Sequence, residues 1–427
     1  MAESSNSNEF DGMRQHGLTV LTAAVFVAGE MAGSGILALP KAILEAGWIG
    51  FILLILFCLN AAYSGSRLGD CWSMVEERYP EYRTSTRNPY PTIASVSLGA
   101  WGGYLVSVCV QLTLFGVGTV YLLLASSIIQ QLLGARTWIA TNNDGCSPMF
   151  PIFAAVICIP MWLGTPKDFW LVGFGALSAT VLSCICIFIQ IVDDGLSKGL
   201  SPPSHELTSF KEFFLAFGVI LFVYGGASTF PTIQNDMVDR NKFYKSVRIA
   251  FTVILILYLP IALSAYFIYG VKLTDNVIEV LSPSVFTELA KVFMAAHLIL
   301  AFLIIINPVS QDLEEIFNVP AKFCMKRCIL RTFIICLMVI IGETIPKFSH
   351  ILALVGGSTV TMATFILPPY LYMRISYLNE KHVPLYEKIY MWELILVGIV
   401  GGIASSYSAI QVIITDPLSK PCYWPNP

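Results

Sequence analysis

Charge is what this 427-residue chain has least of. Only 12% of its residues are Asp, Glu, Lys or Arg, about half of the roughly 25% usual in soluble domains. A surface of ordinary polarity cannot be built from so few charges, so lipid must cover most of it. That excludes a cytosolic enzyme, a nucleic-acid binder, a disordered protein and a disulfide-knotted secreted module. Residues 1–17 lack the charged, apolar and small-residue regions of a signal peptide and are expected to form a short, disordered cytoplasmic segment. There is no Asn-x-Ser/Thr sequon, so N-glycosylation is not expected. No Ser/His/Asp, His-Glu-x-x-His or paired-carboxylate pattern points to an enzyme. Cys184 and Cys186 are two apart on a helix and do not face each other, so no metal site is expected there, and no cofactor is expected anywhere.

What the chain has instead is apolar sequence, 56% of its residues. Stretches near the 20 residues that cross a bilayer recur eleven times, at about 18–40, 46–66, 101–131, 148–164, 169–192, 212–235, 247–270, 287–307, 328–346, 350–374 and 388–414. The expected fold is therefore an all-α integral membrane protein with eleven transmembrane helices across 18–414, followed by an exoplasmic tail at 415–427. With the N-terminus in the cytoplasm, seventeen of the 25 Lys and Arg residues fall on the cytoplasmic side, as the positive-inside bias requires. That set includes Arg327 and Arg331, just before and within the start of the ninth span. The membrane is the plasma membrane or a lysosomal or vesicular one. Of eleven cysteines, Cys146 and Cys422 alone fall in exoplasmic connectors. They are a candidate disulfide on the side where disulfides persist; two free thiols are the equally weighted alternative.

Two spans carry breaks in matching places. The first reads Gly29-Glu30-Met31-Ala32-Gly33-Ser34-Gly35 with Pro40 beyond, and the sixth reads Tyr224-Gly225-Gly226-Ala227-Ser228 with Pro231 beyond. Paired Gly-interrupted spans in two halves of a chain mark a transporter site. Five spans per half, at about 18–192 and 212–374, give the halves opposite topology, with 388–414 as an added helix. A break exposes N–H and C=O groups that lipid cannot satisfy. Free N–H groups at Ser34, Gly35 and Ile36 suit a carboxylate, and the carbonyls near Ala32 and Tyr224–Gly225 suit an ammonium. An α-amino acid carries both. The expected substrate-binding residues are Ala32, Gly33, Ser34, Gly35, Tyr224, Gly225, Gly226 and Ser228. A small-residue packing face is the alternative reading of the same glycines.

At these residues the chain resembles the amino acid/auxin permease family. The likeness continues in Arg87-Asn88-Pro89-Tyr90-Pro91-Thr92-Ile93, Thr165-Pro166-Lys167-Asp168-Phe169, Phe230-Pro231-Thr232-Ile233-Gln234-Asn235-Asp236-Met237, Asn307-Pro308-Val309 and Val355-Gly356-Gly357-Ser358. The resemblance implies a leucine-transporter-type fold and cation-driven transport of amino acids. Sodium-coupled members carry Asn where this chain has Gly29 and a hydroxyl where it has Ala301, so a proton is expected rather than sodium. Many members have His at the position of Ala227.

Ionisable groups inside spans default to function. Glu30, beside the first break, is expensive to hold charged out of water and is expected to carry a proton with the substrate; bracing the broken helix is its structural alternative. His297, in the eighth span, is either a proton relay or a neutral imidazole bonded to a carbonyl of a neighbouring helix. The expected function is secondary-active, proton-coupled transport of amino acids, neutral ones given the small residues at the breaks, by alternating access. The alternatives are a sodium-coupled transporter and an amino-acid-sensing receptor that keeps the transporter fold.

Overall fold

The computed structural model describes residues 17–83, 86, 88–134, 146–163, 169–200, 209–320, 322–415 and 421–423. Residues 1–16, Arg87, the Thr165–Asp168 motif and most of the 415–427 tail lie outside them. The described residues are helical, with a single isolated β-bridge between Leu18 and Met237. The chain is a multi-pass integral membrane protein. Among the described residues seven helices are long and apolar enough to cross a bilayer by length and composition, and the bent pair α1–α2 makes an eighth.

The helices run in chain order as α1 (Val20–Met31), α2 (Gly35–Ala46), α3 (Ile49–Arg78), α4 (Pro89–Leu98), α5 (Ala100–Leu133), α6 (Met149–Leu163), α7 (Phe169–Lys198) and α8 (Phe210–Phe222). They continue as α9 (Phe230–Asn235), α10 (Phe243–Tyr269), α11 (Val285–Ile316), α12 (Met325–Thr344), α13 (Phe348–Val355), α14 (Leu367–Leu378) and α15 (Leu385–Thr415). Two π-helical turns, Gly356–Val360 and Met362–Ile366, join α13 to α14. The two glycines of the first turn sit tight against neighbouring helices: a Cβ on Gly356 would strike Gly218 O of α8, and one on Gly357 would press on the Ser405 side chain of α15.

Two sets of helix contacts stand out, and α7 joins them by packing on α10 as well as on α11. α1 lies on α10, α2 on α8, and α3 on α10 and α8. α11 packs on α7 and α5, and α6 packs on α12 and α5. Local sequence sets the helix ends. Thr19 caps α1 by accepting from the Thr22 N–H at 3.2 Å. Ser209 and Glu212 form a reciprocal capping box at the start of α8. Outward positions are apolar and exposed, for example Trp101, Phe333 and Ile403, as expected where lipid is the solvent.

One part of the sequence reading is corrected by the packing. Arg327 and Arg331 are not solvated loop cations. They belong to α12 and are 8% and 1% exposed. Both meet Glu314 of α11, with Nε–Oε1 distances of 2.9 Å from Arg327 and 2.6 Å from Arg331. Arg331 also donates to the Met161 carbonyl of α6 at 2.8 Å. The charge count sees only two cations at the start of an apolar span; the partner that draws them inside, Glu314, lies on another helix.

Candidate functional site

The first break lies between α1 and α2, which meet at a 59° bend. The carbonyls that end α1 are taken up by distant helices. Tyr258 of α10 donates its hydroxyl to Met31 O at 2.7 Å, and Thr180 of α7 donates to Ala32 O at 3.3 Å. On the other side of the break, Ile36 N reaches Gly33 O at 3.3 Å and Leu37 N reaches Ser34 O at 3.1 Å. Among the described residues no acceptor takes the N–H groups of Ser34 and Gly35. The Ser34 hydroxyl is also buried without a partner. A 12-residue helix therefore opens on unsatisfied donors.

The second break, between α8 and α9, is a run of tight turns. Tyr224 N bonds Leu221 O, Gly225 N bonds Phe222 O and Gly226 N bonds Tyr224 O. The two breaks pack on each other. A Cβ on Gly35 would come within 2.6 Å of Val223, and one on Gly226 within 2.9 Å of Met31. Gly225 faces Val360 of the π-helical turn. These contacts are why the positions are glycine: any side chain would push the half-helices apart.

Tyr224 is fully buried, and its hydroxyl donates to Leu54 O at 2.9 Å while its ring stacks on Phe251. In this conformation its polar atom is committed to α3. Tyr121 of α5 is the aromatic that stands against the first break, its hydroxyl abutting Gly33. His297 of α11 lies on the same side, fully buried, with Nδ1 3.0 Å from Ala176 O. Nothing in the spacing of Tyr121, Thr180 or Tyr258 sets them apart from the other polar residues of apolar helices.

Glu30 has no hydrogen-bond or salt-bridge partner among the described residues. It lines two cavities on the side of the break that holds Leu18. The larger, about 590 Å³, also touches Phe26, Gly29, Thr232, Asp236 and Ala301. Gly29 and Ala301 offer it no side-chain oxygen. The smaller, about 300 Å³, is lined by Ser228, Gln111, Asn307 and Asp312. A third cavity of about 490 Å³ lies beyond the break, where α2 and α8 meet α13 and α15. Of the expected ligand residues, Glu30 and Ser228 line the cavities on the Leu18 side, whereas Gly33, Ser34 and Gly35 sit in the packed layer between the two sides. Cys146 and Cys422 are bonded, with Cα atoms 5.4 Å apart, far from this site in sequence and tied to the end of α12 through Cys422 N and Glu343 O.

The model of the transmembrane amino acid transporter proteins matches residues 16–413. The chain belongs to that family. It is a family of transporters, not enzymes. Among similar proteins is amino acid transporter AVT1B of Arabidopsis thaliana, 25% identical over 420 residues, covering 96% of this chain and 72% of the relative. Amino acid transporter AVT1I of the same plant is 24% identical over 397 residues, covering 90% of this chain and 92% of the relative. Among solved structures, a manganese transporter of Eremococcus coleocola matches 96% of this transporter and 92% of its own chain, with a TM-score of 0.51 and 12% identity. That likeness is one of fold.

Proposed function

We propose that this transporter carries amino acids, neutral ones first, by secondary-active alternating access, with a proton as the coupling ion. Eleven spans in a five-plus-five inverted repeat are part of the proposal. Taking α1–α2, α8–α9 and α13–α14 as one span each, with α4 as a surface helix, gives that number. The two broken pairs then occupy the first place in each half. The N-terminus faces the cytoplasm, in a plasma, lysosomal or vesicular membrane.

The observation that carries the reading is the setting of Glu30. An unpaired carboxyl sits at the junction of two cavities and beside a helix start with free N–H groups. Its neighbours Gly29 and Ala301 supply no side-chain oxygen for sodium. The N–H groups of Ser34 and Gly35 receive the substrate carboxylate, and Glu30 carries the proton. The packing groups suit a moving bundle of α1–α2, α3, α8–α9 and α10 against a scaffold of α5, α6, α11 and α12. The cavities toward Leu18 then belong to the inward-facing state.

The test is uptake by purified protein in liposomes, across an amino acid panel, at acidic and neutral external pH, with and without sodium. Uptake of neutral amino acids that rises with an inward proton gradient and ignores sodium is expected. Uptake that follows sodium and ignores the proton gradient overturns the coupling, and binding without flux overturns transport.

A further inference from the structure

His297 holds one nitrogen in a bond and leaves the other bare. Its Nδ1 lies 3.0 Å from Ala176 O. A carbonyl only accepts, so Nδ1 carries the hydrogen, and Nε2 is left with a lone pair. That Nε2 is buried and has no hydrogen-bond partner in the protein. It points at the first break, 3.2 Å from where a methyl group on Gly33 would sit. The Tyr121 hydroxyl abuts the same glycine but does not bond the imidazole. A charged imidazole would leave an unsatisfied N–H as well as an uncompensated charge in a dry place, so the ring is neutral.

A neutral ring held in one tautomer is a fixed acceptor. A buried acceptor without a donor is costly and calls for one. Of the carbonyls ending α1, Met31 O is engaged by Tyr258, and Ala32 O shares the single Thr180 hydroxyl hydrogen with Ala176 O; Nε2 is an acceptor beside the break with its capacity unused. Glycine at position 33 is what lets the backbone of the break come this close to it, since a Cβ there would crowd both Nε2 and the Tyr121 hydroxyl.

We propose that His297 Nε2 accepts a hydrogen bond from the substrate ammonium and so selects ligands that carry an N–H on the α-carbon, rather than relaying the coupling proton. This deepens the amino acid transport reading and rests on it. Bonds of this kind discriminate strongly, because the analogue without the donor leaves the site's polar atom unpaired.

The test uses full-length protein in liposomes. Its readouts are KM for an amino acid, inhibition by the matching deaminated carboxylic acid, and the pH profile of kcat. His297→Asn keeps an amide N–H where Nδ1–H was and removes the acceptor. His297→Gln places an amide oxygen near Nε2. The proposal expects His297→Asn to raise the amino acid KM at least tenfold, to leave inhibition by the deaminated acid unchanged, and to leave the pH profile unmoved. His297→Gln recovers part of the loss. Unchanged KM in His297→Asn, or a displaced pH profile, overturns it. Wild-type protein supplies a check free of folding effects: the N-trimethyl analogue, which has a charge but no N–H, is expected to compete at least tenfold less well than the parent. Equal competition overturns the proposal while leaving transport itself intact. Absence of any amino acid flux removes the transport reading instead.

Discussion

Leu18 and Met237 lie side by side as a single parallel bridge that ties the entry of α1 to the exit of α9. Leu18 N donates to Asp236 O at 2.8 Å, and Val238 N donates to Leu18 O at 3.0 Å. Gly17 makes the approach possible, since a Cβ there would come within 2.7 Å of Asp236 O. The α1 and α9 halves of the two broken spans are thus joined through backbone, independent of side-chain identity. Leu18→Pro removes one of the two bonds, about 1 kcal/mol. The expected result is faster hydrogen exchange at the Val238 amide, by roughly fivefold, with the exchange of α11 amides unchanged.

Glycines at the site differ sharply in what a methyl group would meet. At Gly33 it would strike the Tyr121 hydroxyl and crowd His297, while at Gly29 its nearest neighbour is Leu177 Cβ at 3.8 Å. Gly33→Ala is expected to cut uptake at least tenfold at equal expression, and Gly29→Ala to leave it within about twofold. Overpacking of this kind costs about 1–3 kcal/mol, so a melting curve belongs beside the uptake measurement.

The Glu314 carboxylate is the shared acceptor of Arg327 and Arg331, and all three are buried. Removing it takes from both guanidinium groups the carboxylate they share. Glu314→Ala is expected to destabilise by about 3–5 kcal/mol, read as lost monodisperse protein in detergent. Single replacement of exposed Lys322 or Lys326 is expected to have no such effect.

The sequence and the structure agree most where chemistry is local. Gly33-Ser34-Gly35 and Tyr224-Gly225-Gly226 are written as breaks because small residues interrupt an apolar run, and the helices do stop there, although α2 runs on through Pro40. What closes those breaks was not legible. Tyr258 and Thr180 lie 227 and 148 residues from the carbonyls they bond. The sequence cannot tell an engaged tyrosine from a packing one, which is also why Tyr224 reads as a ligand residue while its hydroxyl is spent on Leu54. Arg331 is the same lesson for charge: the positive-inside count treats every cation alike, but a carboxylate on α11 takes this one into the interior. For His297 the sequence could not name the carbonyl that its Nδ1 meets, Ala176 O of α7.

The Cys146–Cys422 bond gives a handle on orientation. Its tail is held at the end of α12 by Cys422 N on Glu343 O, 2.8 Å, and by Tyr423 against Thr344, 3.2 Å. A bond kept on the oxidising side of the membrane predicts that neither thiol reacts in native vesicles. In Cys146→Ser, Cys422 is expected to react with an impermeant maleimide applied from the exoplasmic side alone. Labelling from the cytoplasmic side would invert the topology.

Coupling through Glu30 is the centre of the proposed mechanism, and proton movement measures it most directly. Wild-type protein and Glu30→Gln are placed in liposomes holding a trapped pH dye, and a neutral amino acid is added outside without sodium. The expected result is acidification of the interior that accompanies uptake in wild type and is lost in Glu30→Gln, with substrate binding retained. Full acidification in Glu30→Gln, or wild-type uptake with no proton movement, would contradict it.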